Sequence, residues 1–415
     1  MDCAITECQK EAFEKLSKLR CGALFMEAGT GKTRTAVELV RSKLVAIDKV
    51  LWLAPASLLN TQNYMDEINK WCDFTDKLIF KTIEGVGSSK RIYAESYTLC
   101  DNSKIFLVVD ESLTIKNPGA KRTLRAITLA NKCTFRLILN GTPISRSILD
   151  LYTQIKLLSP LILGMTERQF AYKFIEYKND GGYCPWRRYA KAVNEAALIE
   201  IIKPYVFDAK LDLGIKITSR NEFAGLDSRE VIAYERIKKD FEEKFQAEEG
   251  PDFWFLGMCA KLQNSYSACK ERLNICKKEI ENYNGKIIIY CRFLSEIELL
   301  KNITDCVVYT GKEKNDLGIF INSKKVMLCT YGCGSLGLNL QCASKIIFFS
   351  ATFDYKAIDQ STHRIYRTGQ TRDCEIVNLY VTTGLESIMR KCIDNKKYDL
   401  KYIKKLIEAK GLKNL

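Results

Sequence analysis

Nine short apolar runs, falling into two sets, constrain the fold of this 415-residue chain more than any other feature. The front set occupies residues 22–26, 50–54, 105–109 and 135–139, and the back set residues 286–290, 306–309, 326–329, 346–349 and 375–379. Continuous apolar runs of this length, separated by helical patterning, mark strands buried on both faces by crossover helices. Each set suits one doubly wound parallel sheet, with ligands expected at the carboxyl ends of the strands. The length agrees, since it exceeds one ordinary core and fits two domains of roughly 200 residues. Residues from about 146 to 284 read mostly as helix, so the expected division is 1–205 for the first lobe, 206–284 for a linker with a helical insertion, and 285–415 for the second lobe. Two breaks stand out there, Ile202-Lys203-Pro204-Tyr205 and Glu248-Glu249-Gly250-Pro251.

The first run leads directly into Ala28-Gly29-Thr30-Gly31-Lys32-Thr33 and then a helix-like stretch. Gly29 and Gly31 let the backbone bend so that amide groups and a helix N-terminus face phosphate oxygens; Lys32 can reach the β and γ oxygens, and Thr33 offers a hydroxyl to Mg²⁺. Met26 stands where the general pattern has glycine. The run at 105–109 ends in Asp110-Glu111, where a Mg²⁺-binding carboxylate and a water-activating carboxylate are expected. The run at 135–139 ends in Asn140-Gly141-Thr142-Pro143, a turn suited to sensing the γ-phosphate and, through Gly141 and Thr142, to coupling with the partner lobe. Gln9, upstream of the phosphate loop, is positioned to read an adenine edge. Near the other end, Arg364 and Arg367 are three residues apart, a helical spacing that aims both guanidinium groups the same way. A phosphate cradle with one lysine lacks the extra positive charge of phosphoryl transfer, and these arginines can supply it from the second lobe. The whole reads as an ATPase completed from two lobes, using ATP and Mg²⁺.

The formal net charge is +14, with eight Lys/Arg against two acids over residues 104–146 and nine against three from Ser387 onward. Such an excess points to a polyanion partner, because basic groups that neutralise phosphates release condensed counterions. Gly181-Gly182-Tyr183-Cys184-Pro185-Trp186-Arg187-Arg188-Tyr189 interleaves rings and cations, and reads as a surface loop anchored by Trp186 or as a contact for nucleic acid. The 17 cysteines are scattered, lack any Cys-x-x-Cys pair and share the chain with a single histidine, His363, so reduced core thiols are expected and zinc is not. No signal peptide opens the sequence, and no apolar run approaches the ~18 residues of a membrane span, so a cytoplasmic, non-secreted protein is expected.

Taken in order, the segments resemble the helicase motifs of superfamily two, and within it the Swi/Snf-like ATPases. The narrower match lies in Leu53-Ala54-Pro55-Ala56-Ser57-Leu58-Leu59, Asp110-Glu111-Ser112 with Ile115-Lys116-Asn117, Leu139-Asn140-Gly141-Thr142-Pro143-Ile144, and Gly337-Leu338-Asn339-Leu340-Gln341 followed by residues 364–370. The resemblance implies two tandem RecA-like domains that open and close on ATP hydrolysis and step along duplex or forked DNA by backbone contacts without sequence preference. It further implies that Gln360 joins Arg364 and Arg367 in completing the nucleotide site, and that Pro55, Ser57, Gly334, Leu338 and Asn339 face the DNA backbone or the lobe interface. A monomer suffices for such a motor, and a compact one lacking reader or nuclease modules suggests a viral, phage or mobile-element source. In one respect the chain departs from the family: Leu113 and Thr114 occupy the places where its acidic motif usually carries histidine and arginine. Leucine cannot donate the hydrogen bond that such a histidine supplies. An RNA helicase, or a nucleotide-gated binding module with little turnover, therefore stand as alternatives.

Overall fold

The computed structural model describes residues 5–144, 147–178, 188–247, 252–334, 340–367 and 369–394, and the chain divides into two compact units, Met1–Leu211 and Asp212–Leu415.

In the first unit the strands are β1 (Cys21–Met26), β2 (Lys49–Ala54), β3 (Leu78–Thr82), β4 (Ile105–Val109), β5 (Phe135–Asn140), β6 (Ile175–Lys178), β7 (Arg188–Ala192) and β8 (Val206–Ala209). Six of them form one parallel sheet in the order β3-β2-β4-β5-β1-β8, and β6 pairs with β7 as an antiparallel ribbon. The apolar runs do not alternate with polar residues because both faces are covered. Leu51, Leu53, Ile105, Leu107 and Val109 enter one apolar cluster, whereas Val50, Trp52, Phe106 and Val108 enter another on the opposite side.

The second unit repeats the plan with β9 (Ile217–Ala224), β10 (Ile287–Cys291), β11 (Cys306–Tyr309), β12 (Val326–Thr330), β13 (Lys345–Phe348) and β14 (Cys374–Val381). Their order is β11-β12-β10-β13-β14-β9, all parallel. Ile288 and Tyr290 face one cluster, and Ile287, Ile289 and Cys291 the other. Cys259, Cys276 and Cys291 are buried thiols whose pKa burial raises, to about 12 for the first two. The expected α/β class with two doubly wound sheets is thus observed.

The stretch 146–284 is less uniformly helical than its patterning predicts. Helices Asp150–Leu158, Glu167–Phe174, Glu195–Ile202, Ser228–Ala247, Asp252–Asn264 and Lys270–Glu281 are present, but so are β6, β7, β8 and β9. β9 pairs with β14 over eight residues, from Ile217 opposite Cys374 to Ala224 opposite Val381. It escapes an apolar-run criterion because it is an edge strand of mostly exposed residues. Besides that ladder, Arg220 bonds Glu375 at 3.0 Å and Glu279 at 2.6 Å. The segments 179–187 and 248–251, which hold the aromatic-basic loop and the acidic turn, lie outside the described residues apart from Arg188 and Tyr189, which are in β7.

Candidate active site

The phosphate loop spans the step from β1 to helix Lys32–Arg41, and its backbone explains its composition. Gly29 and Gly31 have φ of 88° and 83°, in the left-handed region that side chains disfavour. A methyl group at Gly31 would also stand 1.9 Å from Nε2 of Gln9, so that side chain would have to move to admit one. Both the Thr30 hydroxyl, at 2.8 Å, and the Thr30 amide, at 3.3 Å, bond the Glu27 carbonyl and close the turn. Thr35 donates through its amide and hydroxyl to the Gly31 carbonyl. Lys32 Nζ lies 3.4 Å from the Met26 carbonyl. Thr33 follows in the first helical turn, half-buried.

Asp110 and Glu111 follow β4, two strands from the phosphate loop with β5 between. Asp110 is buried; its Oδ2 accepts from the Tyr64 hydroxyl at 2.6 Å and its Oδ1 from the Glu111 amide at 2.8 Å. Tyr64 in turn accepts from Trp52 Nε1 at 3.0 Å. Burial pushes the Asp110 carboxyl above its ordinary pKa, opposed by the Lys32 ammonium and by the bond from Tyr64. The cation of the phosphate loop and this carboxylate therefore interact across the top of one sheet. Glu111 has φ 50° and ψ 50°, a conformation that costs about 1–3 kcal/mol for a residue with a side chain. The Thr114 amide and hydroxyl, both 2.9 Å from the Glu111 carbonyl, hold it there.

β5 delivers the third segment. A methyl on Gly141 would meet the Met26 carbonyl at 3.5 Å and Lys32 Nζ at 3.8 Å, which places this turn against the phosphate loop. The Thr142 amide donates to Asn140 Oδ1 at 3.0 Å. Beneath it a buried group of polar side chains joins Ser112, Gln154 and Asn140. Pro55 follows β2 as the N-cap of the helix Ala56–Leu59 and is buried, whereas Ser57 in that helix is exposed.

Beside the loop is a cavity of about 150 Å³ lined by Ile5, Gln9, Phe13, Arg34, Thr35 and Glu38. Gln9 is held by a capping box: its amide donates to Thr6 Oγ1 at 3.4 Å and its Oε1 accepts from the Thr6 amide at 3.0 Å. The Arg34 guanidinium stacks 4.2 Å from the Trp71 ring. Apolar Ile5 and Phe13 beside an amide and the charged Lys10, Glu14, Arg34 and Glu38 give a slot suited to a planar, polar-edged heterocycle. A nucleoside triphosphate with Mg²⁺ fits this donor set: left-handed glycines that turn the backbone into a helix N-terminus, Lys32 for its charge, and Thr33 with Asp110 as oxygen ligands for the metal.

In the second unit, Gln360 lies in helix Tyr355–Thr362, whose N-cap Asp354 accepts from the Ala357 amide. Arg364 and Arg367 do not continue this helix, contrary to the spacing argument. The helix stops at Thr362 and the chain goes on in turns, drawn aside by a bond from the Leu340 amide to the Arg364 carbonyl at 3.2 Å. Gln370 then anchors the segment by donating to the carbonyls of Ala343, Gln341 and Ile365 at 2.7, 3.1 and 3.3 Å. Gly334 ends the helical turn Tyr331–Gly334 after β12, while Leu338 and Asn339 lie outside the described residues.

Tyr64 and Gln154 are the contributors that motif reading misses. Neither belongs to a recognisable pattern, and each reaches its partner over more than 40 residues of sequence, 46 for Tyr64 to Asp110 and 42 for Gln154 to Ser112.

Among protein families, the SNF2-related domain matches residues 75–304, the helicase conserved C-terminal domain residues 271–371, and the res subunit of type III restriction enzymes residues 2–145. An uncharacterized ATP-dependent helicase of Mycoplasma genitalium is 26% identical over 324 residues, which is 71% of this chain and 30% of that protein. An ISWI chromatin-remodeling complex ATPase of Saccharomyces cerevisiae is 22% identical over 441 residues, 88% of this chain and 37% of that protein. The chain thus spans about a third of the length of these curated relatives. The solved SWI2/SNF2 ATPase core of Sulfolobus solfataricus in complex with dsDNA has a TM-score of 0.45 and 20% identity, covering 99% of this chain and 94% of that one.

Proposed function

Because this chain belongs to the SNF2-related family, we propose that it is the ATP-hydrolysing core of a motor that moves along duplex or forked DNA. The observation that carries this reading is the convergence of Lys32, the left-handed glycines and the buried Asp110 at the carboxyl edge of one sheet. Lys32 and the loop amides hold the phosphates of ATP, and Gln9 orients the base. Thr33 and Asp110 would hold Mg²⁺, which when bound would supply positive charge to the phosphate oxygens. Glu111 accepts a proton from the attacking water as the bond from the γ-phosphorus to the departing ADP oxygen breaks. Arg364 and Arg367, with Gln360, stabilise the charge that spreads over the transferring group. Pro55, Ser57 and Gly334 contact the DNA backbone or the other lobe, and Leu338 and Asn339 belong to the same functional set. Contacts of this kind hold phosphates and read no sequence, as translocation demands. The net charge of +14 favours such a partner. Among the described residues, no helix is long and apolar enough to cross a membrane.

The test is the steady-state ATPase rate without nucleic acid and with saturating duplex DNA, forked DNA, single-stranded DNA and RNA at one salt concentration. Stimulation by duplex or forked DNA is expected, and Lys32→Ala or Glu111→Gln should lower turnover by at least about a hundredfold. Wild-type hydrolysis in either variant would sink the site assignment. Preferential stimulation by RNA would establish an RNA helicase, and a flat, low rate with ATP-dependent DNA binding would establish a gated binding module.

A further inference from the structure

We infer that Gln154 is a positioning residue for ATP hydrolysis, tying Ser112, next to Glu111, to the Pro143 carbonyl in the turn after β5. This rests on the ATPase reading above and deepens it. The family's acidic motif usually couples to that turn through a histidine, but Leu113 occupies its place here and is buried without any donor to offer. A different connection is built one residue earlier. Ser112 Oγ donates to Gln154 Oε1 at 2.7 Å, and Gln154 Nε2 donates to the Pro143 carbonyl at 2.8 Å and to the Asp150 carbonyl at 2.7 Å. Both amide hydrogens are therefore used. Asn140 Nδ2 lies 3.5 Å from Ser112 Oγ, and Asn140 Oδ1 holds the Thr142 amide.

Ser112, Asn140 and Gln154 are each 0% exposed. Packing alone gives no reason for an amide at 154: Leu151, Ile155, Leu157 and Leu158 of the same helix are all in the apolar core. Burying an amide is costly unless its hydrogen bonds are made, and once made they fix a single geometry. The amide plane is rigid, so it transmits displacement between its two ends. At one end is Ser112, whose neighbour Glu111 sits in a left-handed conformation. At the other end is the turn whose Gly141 lies against Lys32. A change in the nucleotide that relaxes Glu111 thereby moves residues 140–143, and a shift of that turn re-aims Glu111.

The experiment compares wild type, Gln154→Leu, Ser112→Ala and the double variant. For each it measures the affinity for a fluorescent ADP analogue, the turnover rate with saturating duplex DNA, and the ratio of that rate to the DNA-free rate. Both single variants should bind nucleotide as wild type does, yet lose roughly tenfold in DNA-stimulated turnover and most of the stimulation ratio. The double variant should be no worse than the more damaged single, since one connection is cut in either case. Wild-type stimulated turnover in folded single variants, or losses that multiply independently, would overturn the inference. If Gln154→Leu fails to fold, Ser112→Ala, which removes one oxygen atom, decides the matter by the same comparison of affinity and stimulation. Absence of ATP turnover in the wild type would overturn the ATPase reading itself, an outcome distinct from an active wild type with unaffected variants.

Discussion

Asp110 draws its character from Tyr64 and Trp52 as much as from its own carboxylate. Buried below the phosphate loop, it would be costly to ionise without the Tyr64 hydroxyl and the Glu111 amide as donors. Tyr64→Phe keeps the ring and removes the donor, so unfolding free energy should fall by about 1.5–3 kcal/mol, measurable by denaturant titration. The same variant should move the acid limb of the turnover–pH profile upward. In wild type burial already raises the Asp110 pKa, and the bond from Tyr64 opposes that rise; without it protonation reaches higher pH, and the protonated acid cannot ligate a metal. An unchanged acid limb would show that Asp110 is not the titrating group. Asp110 is legible in the sequence because it ends a buried run downstream of a phosphate loop. Tyr64 is not, because nothing in its local pattern distinguishes it from an ordinary core tyrosine of an amphipathic helix.

The elements that the sequence makes legible are those whose strands are covered on both faces. β1, β2, β4, β5 and β10 to β14 announce themselves as apolar runs because their apolar residues alternate between clusters on opposite faces. β3 and β9 are sheet edges with β3 half-buried throughout and β9 mostly exposed, so hydrophobic patterning passes over them. Helical spacing likewise misplaces Arg364 and Arg367, since the Leu340 amide and the Gln370 side chain pull the chain into turns after Thr362. Their proposed role survives that change, because it needs guanidinium groups on an anchored segment and not a helix. Arg367→Ala should lower single-turnover hydrolysis by about a thousandfold or more while leaving nucleotide affinity intact. Loss of affinity with a normal maximal rate would instead assign Arg367 to substrate binding.

At the scale of the whole molecule, each unit carries its own core, and the second includes a charged cluster that the first lacks among the described residues. Arg272, Glu296 and Glu386 are all fully buried; Arg272 donates to Glu296 at 3.1 Å and lies 3.8 Å from Glu386. Burial pushes the Glu386 carboxyl up to about 7 despite Arg272. A carboxyl raised on folding favours the folded state most below its unfolded pKa, and this contribution is lost as pH climbs through the folded value. Between about pH 4.5 and 7 it should decline by roughly 3 kcal/mol, at about 1.4 kcal/mol per unit. Hydrogen exchange of the β10 and β13 amides should report that slope, and Glu386→Gln should flatten it. The excess of positive charge was readable from composition, and with it the expectation of a polyanion. If ATP hydrolysis in this chain drives the proposed movement along duplex DNA, displacement of a third strand from a DNA triplex measures it. ATP-dependent displacement, absent in Lys32→Ala, is the predicted result; duplex-stimulated hydrolysis with no displacement would contradict it.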